Sequence, residues 1–369
     1  MILIACAALS ACMSENSAQP AGSGMMAVGG DDRNGEYMPV RDWWKPAPNH
    51  DSIWHWGDMG GVSALDPDRV FAVTWGDKND EGELQTPTSN MVVVANRDGE
   101  IIEQWTQWDS ILNWPHQVYV DPYDPAMPVW VVERGGGGPY MQVVKFTNDG
   151  SEILLRIGDT PIPQSRDEAR ANPNPGAYNY GQPAVLAFYP NGDFLLGDGY
   201  WNCRIVRYNS QGEYLYEFGS CGDGPGEFNV VHGLGIDRDG RIYVADRSND
   251  RVQVFEEDGT HVATWPDIAS PGGIWVDDSN SVWVVGRTTN RMLKYDTEGH
   301  LLYYWGSYGG TSGGYDGGSG GFHRPHQIGV DLEGNFYVAN WEAGAVGKHV
   351  PKPDADPSKL VGRLMRPGG

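Results

Sequence analysis

The chain has 369 residues and a net charge of −23 at pH 7, with no basic cluster of the kind phosphate contacts need, which argues against a nucleic-acid partner. Its 51 glycines and 25 prolines suit a chain that turns back repeatedly, and its 15 tryptophans and 18 tyrosines suit packing between sheets. No helix-period segment stands out.

Taken in order, Met1 to Cys12 is apolar and too short to span a bilayer as a helix. Leu9-Ser10-Ala11-Cys12 resembles the lipobox of bacterial lipoproteins, in which the signal segment is removed and the cysteine, here Cys12, carries the lipid. The expectation is an exported, periplasmic or cell-surface lipoprotein that meets the membrane only through a lipid anchor; a soluble exported protein is the alternative. Residues 13 to about 40, rich in Ser, Gly, Ala and Asp, read as a flexible tether, and 41–369 as one closed domain.

Beyond an aromatic approach, Asp42-Trp43-Trp44 and Trp54-His55-Trp56, one pattern recurs six times. Its clearest copy is Val231-His232-Gly233-Leu234-Gly235-Ile236-Asp237, an Asp239-Gly240 turn, Arg241-Ile242-Tyr243-Val244-Ala245-Asp246-Arg247 and a third strand at Val252 to Phe255. Apolar residues alternate at strand period two between tight turns, which makes each copy a β-meander. The openings are Gly61, His116, Ala184, His232, Gly272 and His326. A single meander cannot bury both faces, so the array reads as all-β: a six-bladed β-propeller closed by a strand from near the N-terminus or by Leu360-Val361-Gly362. Long insertions fall at 158–182 and 307–321, and Gly135 to Gly138 allow a sharp excursion between strands.

In a propeller the first strand of each blade lines the channel, so the six openings face one axis. Histidine stands in blades two, four and six and alternates with residues of negligible side chain. Three neutral imidazoles converging on a point make a zinc site with an open fourth position, with copper or iron also suited to imidazole. The separations between His116, His232 and His326 hold no metal motif; the signal lies in the repeat register. A second ring follows from the next strand ends: Trp75, Arg134, Tyr200, Arg247, Arg287 and Trp341. Guanidiniums and a phenol above a metal describe a pocket for a carboxylate-bearing small molecule or peptide-derived substrate. Cys203 and Cys221, the two cysteines in the body of the exported chain, are expected to form a disulfide stapling the outer hairpin of blade three.

These residues together resemble the peptidyl-α-hydroxyglycine α-amidating lyase family, propellers of NHL-type repeats. The likeness covers most of 54–345. Pro115-His116-Gln117, Val231-His232-Gly233 and Pro325-His326-Gln327 match the family's zinc histidines. Asp198-Gly199-Tyr200-Trp201-Asn202-Cys203-Arg204-Ile205 matches the stretch of its catalytic tyrosine, and Ala245-Asp246-Arg247-Ser248-Asn249-Asp250-Arg251 that of its catalytic arginine. The resemblance implies a metal-dependent carbon–nitrogen lyase that cleaves a carbinolamide to an amide and glyoxylate or a similar aldehyde, with Tyr200 and Arg247 catalytic. Three departures stand out. Trp75 replaces a substrate-binding arginine, Arg324 replaces a methionine two residues before the last zinc histidine, and Gln327 replaces an acidic calcium ligand, which speaks against calcium there. Arg134, Arg287, Arg324, Trp75 and Trp341 are thus the expected substrate-binding set. Another metal-dependent lyase or hydrolase on the same scaffold, and a non-catalytic tethered propeller that binds protein or glycan, are the alternatives.

Overall fold

The computed structural model describes residues 33–135, 141–158, 165–172, 174–311, 314–315 and 321–364. Cys12 with the rest of 1–32, Gly136 to Gly138, Pro161, Pro163 and Pro173 lie outside the described residues.

Six four-stranded antiparallel sheets follow one another around an axis, which makes the domain a six-bladed β-propeller. Blade one is Met59–Asp66, Arg69–Thr74, Val92–Ala95 and Ile101–Gln104; blade two is Pro115–Val120, Val129–Glu133, Gln142–Phe146 and Ile153–Ile157. Blade three is Val185–Phe188, Phe194–Asp198, Arg204–Tyr208 and Tyr214–Phe218. Blade four is Val231–Ile236, Ile242–Asp246, Arg251–Phe255 and His261–Trp265, and blade five is Pro271–Val276, Val282–Gly286, Arg291–Tyr295 and Leu301–Trp305.

The sixth blade has three strands of its own, Pro325–Val330, Phe336–Asn340 and Ala345–Pro351, and its fourth comes from the other end of the chain. Tyr37–Pro39 pairs antiparallel with Ala345–Pro351, from Tyr37 opposite Pro351 to Pro39 opposite His349. The segment read as tether up to 40 therefore gives its last residues to the propeller, and the domain begins before 41. Tyr37 explains the choice of closing strand: its ring is buried and stacks on Trp305 with centroids 5.2 Å apart, and its hydroxyl accepts the Val361 N–H at 2.9 Å. The 360–362 segment instead straps across blade five, where Trp275 Nε1 donates to the Gly362 carbonyl.

Blades four, five and six are each held by an aspartate at the end of the innermost strand. Asp237 Oδ1 accepts the N–H groups of Asp239 and Arg241, and Oδ2 the Tyr243 hydroxyl. Asp277 and Asp331 do the same for their own turns, with Trp283 Nε1 and the Tyr337 hydroxyl on the second oxygen. Each carboxylate thereby fixes a turn and ties the first strand to the second. Between neighbouring blades lie six apolar clusters, carrying among others Trp105, Trp130, Trp265, Trp305 and Trp43. The tryptophans thus serve the sheet-to-sheet packing their number suggests. One α-helix, Arg166–Ala171, was not anticipated; Ser165 caps it by accepting the Glu168 N–H.

Candidate metal centre and the pocket above it

His116, His232 and His326 are each the second residue of an innermost strand. In all three blades the pairing register shifts across that residue. A bulge leaves one residue unpaired and re-aims its side chain, and here it turns each imidazole to the axis. Blades one and five carry the same bulge, at Gly60 and Gly272. The member of the ring in blade one is therefore Gly60, one residue before the Gly61 that the repeat pattern suggested.

The three rings sit with centroids 4.6 to 4.9 Å apart and are fully buried or nearly so. Each Nδ1 meets a backbone carbonyl of the next blade round the ring: Ala184 at 2.7 Å from His116, Gly272 at 2.5 Å from His232, and Gly60 at 2.6 Å from His326. A carbonyl only accepts, so each Nδ1 carries the proton and each Nε2 keeps a lone pair. The small residues of the alternate blades are the places where these carbonyls come close. Burial, reinforced by the neighbouring imidazoles and by Arg134, Arg247 and Arg287, pushes the His116 and His232 pKa values well below the usual range and that of His326 to about 3. Three neutral imidazoles, each oriented by a backbone carbonyl and with their ligand atoms within 4.8 Å of one another, fit a transition-metal cation such as zinc.

Above the ring, one residue per blade follows the end of the second strand. The strand end itself is anchored: Glu133 accepts N–H groups from Asn113, Trp114 and Gly135, Asp198 from Gly181, Asp246 from Asn229, and Asn340 from His323. Asp198 and Asp246 also take the Nε of Arg204 and Arg251. Arg134, Arg247 and Trp341 thus each follow directly on a buried polar anchor, and Tyr200 follows Asp198 after one glycine. At blade three, Gly199 passes so close to Val231 that a Cβ would lie 2.0 Å from its carbonyl oxygen, and this delivers Tyr200 to the axis.

The Tyr200 hydroxyl lies 3.0 Å from His116 Nε2 and 3.1 Å from His232 Nε2, and accepts from Arg247 Nη1 at 3.2 Å. Arg134 covers the same phenol ring at 4.2 Å, is sandwiched against Trp114 at 5.0 Å, and donates from Nε to Gln182 Oε1. Arg287 lies 4.5 Å over Trp341. Burial and the charge of Arg247 lower the pKa of both Arg134 and Arg287, which places the three guanidiniums in one compartment. Trp75 is buried, donates from Nε1 to the Pro115 carbonyl, and packs on Trp114 and Trp341. Arg324 stands apart from the other expected substrate-binding residues: its guanidinium is ion-paired with Glu342 on the exposed rim, 6.0 Å from the Trp341 ring centre. The Cys203–Cys221 disulfide is present.

At the other end of the innermost strands the channel opens into a cavity of about 860 Å³, counting its open mouth, lined by residues such as Val185, Leu234, Ile274 and Ile328. Here Gln327 reaches across the axis. Its Oε1 accepts the N–H groups of Val62 and Val118, both at 3.2 Å, and its Nε2 donates to the Val118 carbonyl at 2.7 Å. A neutral amide with a donor on the carbonyl that would face a cation does not fit calcium. The sequence marks Gln327 only as a lost acidic ligand, and its role as a strap leaves no signal there.

The NHL repeat family matches residues 228–255, in blade four. The chain is similar to NHL repeat-containing protein 3 of Mus musculus, 31% identical over 177 residues, which are 47% of this chain and 48% of that one. It is also similar to a probable peptidyl-α-hydroxyglycine α-amidating lyase of Caenorhabditis elegans, 26% identical over 176 residues, 47% of this chain and 45% of that one. The chain thus spans about half the length of the curated relatives it matches. Among solved structures a streptogramin B lyase superposes with a TM-score of 0.54 at 13% identity, over 82% of this chain and 100% of the other, a likeness of fold alone.

Proposed function

For this six-bladed propeller of NHL-type repeats, distantly related to the peptidyl-α-hydroxyglycine α-amidating lyases, we propose a metal-dependent carbon–nitrogen lyase that splits an N-acyl-α-hydroxyglycine into an amide and glyoxylate. The observation that carries the reading is the Tyr200 hydroxyl set between two Nε2 atoms of a pinned three-histidine ring, with Arg247 donating to it.

His116, His232 and His326 would hold the cation through Nε2. A divalent cation held there would supply a Lewis acid that makes the carbinol hydroxyl more acidic. The remaining work falls to the chain. The carbinol O–H loses its proton, the oxygen lone pair forms the aldehyde C=O, the C–N bond breaks, and the amide nitrogen gains a proton. Nothing is oxidised, and the net change is one proton moved from oxygen to nitrogen. Tyr200, in reach of the ring centre, gives its phenol proton to the leaving nitrogen and is reprotonated by the carbinol O–H. Arg247 steadies the negative charge that develops on the tyrosine oxygen during that relay, and it faces the substrate carboxylate with Arg134 and Arg287.

The test is glyoxylate release from N-acyl-α-hydroxyglycines by zinc-loaded protein. Tyr200→Phe should keep its metal and lose about 10²–10⁴-fold in kcat. A Tyr200→Phe protein as active as the parent contradicts the assigned role, and a metal-loaded parent without turnover favours a binding propeller. The same reading includes export and anchoring through Cys12, which the Cys203–Cys221 disulfide supports as a mark of an oxidising compartment; metabolic labelling with a radioactive fatty acid, in parent and Cys12→Ser, tests it.

A further inference from the structure

The rim above the histidines is divided. Going round the axis from blade two to blade five it carries Arg134, Tyr200, Arg247 and Arg287, and from blade six to blade one Trp341 and Trp75, with Trp114 beside them. Among the described residues none of the three arginines is paired with a carboxylate. Their polar contacts are Gln182 for Arg134 and the Tyr200 hydroxyl for Arg247, while Arg287 Nε is buried without an acceptor. Guanidiniums that repel one another in a half-buried pocket are stabilised when an anion enters.

The aromatic arc offers something different. Trp75 meets Trp114 edge-on at 4.9 Å and Trp341 at 5.6 Å, so three indoles form one continuous wall. The Trp75 N–H is already committed to the Pro115 carbonyl, so that residue presents only apolar ring to the pocket. Trp341 Nε1 is buried without an acceptor, and the Trp341 ring lies against Arg287 where the two arcs meet. A ligand lying across the ring would find donors for a carboxylate on one side, flat apolar surface on the other, and an indole N–H between for a carbonyl oxygen.

We propose that the aromatic arc determines specificity: Trp75, Trp114 and Trp341 select substrates whose acyl group is apolar and flat, an aryl-acyl group above all, while the arginine arc takes the carboxylate. This rests on the lyase reading for which end reacts. The polar gap between the arcs, at Arg287 Nε and Trp341 Nε1, receives carboxylate and acyl-carbonyl oxygens. An acyl chain ending in a second carboxylate is disfavoured, because the blade-one place on the rim is an indole with no free donor.

The test uses N-benzoylglycine and N-acetylglycine, which lack the carbinol hydroxyl and cannot react, titrated into the zinc-loaded full chain by calorimetry. The benzoyl compound is expected to bind about ten-fold more tightly, from ring stacking together with added apolar burial. Trp341→Leu, and independently Trp114→Leu, should cut that preference to about three-fold or less, although Trp341→Leu also removes a donor from the acyl carbonyl and weakens both ligands. Equal affinities in the parent, or a preference that survives both substitutions, overturn the proposal. Glyoxylate release from N-benzoyl-α-hydroxyglycine is followed separately: its absence, with selective binding intact, removes the lyase reading and leaves the aromatic arc standing.

Discussion

Replacing Gln327 is the perturbation that best separates this channel from one held by calcium. The side chain comes from blade six and bonds to backbone atoms of blades one and two, through Oε1 to Val62 N and Val118 N and through Nε2 to Val118 O. Gln327→Ala removes three hydrogen bonds and leaves two donors and one acceptor facing the channel. At about 1 kcal/mol for each bond, and more for any group that water fails to reach, the loss is about 3 kcal/mol. Gln327→Asp should be destabilised as well, since its carboxylate would face the Val118 carbonyl, but millimolar calcium should restore it by supplying the missing positive charge between the oxygens. Urea unfolding of the zinc-loaded protein, with and without calcium, measures both effects. The parent should be indifferent to calcium. A parent whose midpoint rises with calcium, or a Gln327→Ala protein as stable as the parent, would refute the reasoning.

Two further outcomes follow from groups outside the channel. The Cys203–Cys221 bridge closes a separation of 18 residues, so Cys203→Ala/Cys221→Ala should cost about 3 kcal/mol in chemical denaturation by the loop-entropy relation; an unchanged midpoint would show that the outer hairpin of blade three needs no staple. Burial raises the Asp109 carboxyl from its ordinary 3.8 to about 7 while it accepts the Met91 N–H. Its pKa is higher folded than unfolded, so it withdraws stability as pH climbs from about 4 to about 7. Asp109→Asn, which keeps an accepting oxygen, should therefore raise the melting temperature at about pH 8 and change it little at about pH 4; equal shifts at both pH values would contradict the assignment.

Most of the blade order was legible because short alternating strands and Asp-Gly turns are local signals, and repetition aligned them. The metal ring was legible for the same reason: once the copies were in register, His116, His232 and His326 fell in alternate blades. What escaped depends on contacts between distant parts of the chain. Tyr37–Pro39 is a three-residue strand behind a low-complexity segment, and what marks it is Tyr37 reaching Trp305 and Val361. The bulges that turn the histidines inward shift blade one's ring position from Gly61 to Gly60, and a period-two pattern does not show where a strand bulges. The carbonyls that orient the imidazoles belong to backbone and leave no residue signature. Helix Arg166–Ala171 was findable, since Ser165 followed three residues on by Glu168 is a capping-box spacing, but six residues are too few to show a helical period.

The central claim is that the three histidines hold a catalytic metal, and the most direct test is the metal content of protein purified without added metal, by elemental mass spectrometry, beside His232→Ala. The account predicts about one equivalent of zinc per chain in the parent and none in the variant, with both folded by circular dichroism. No metal in either protein, even after reconstitution, would contradict it.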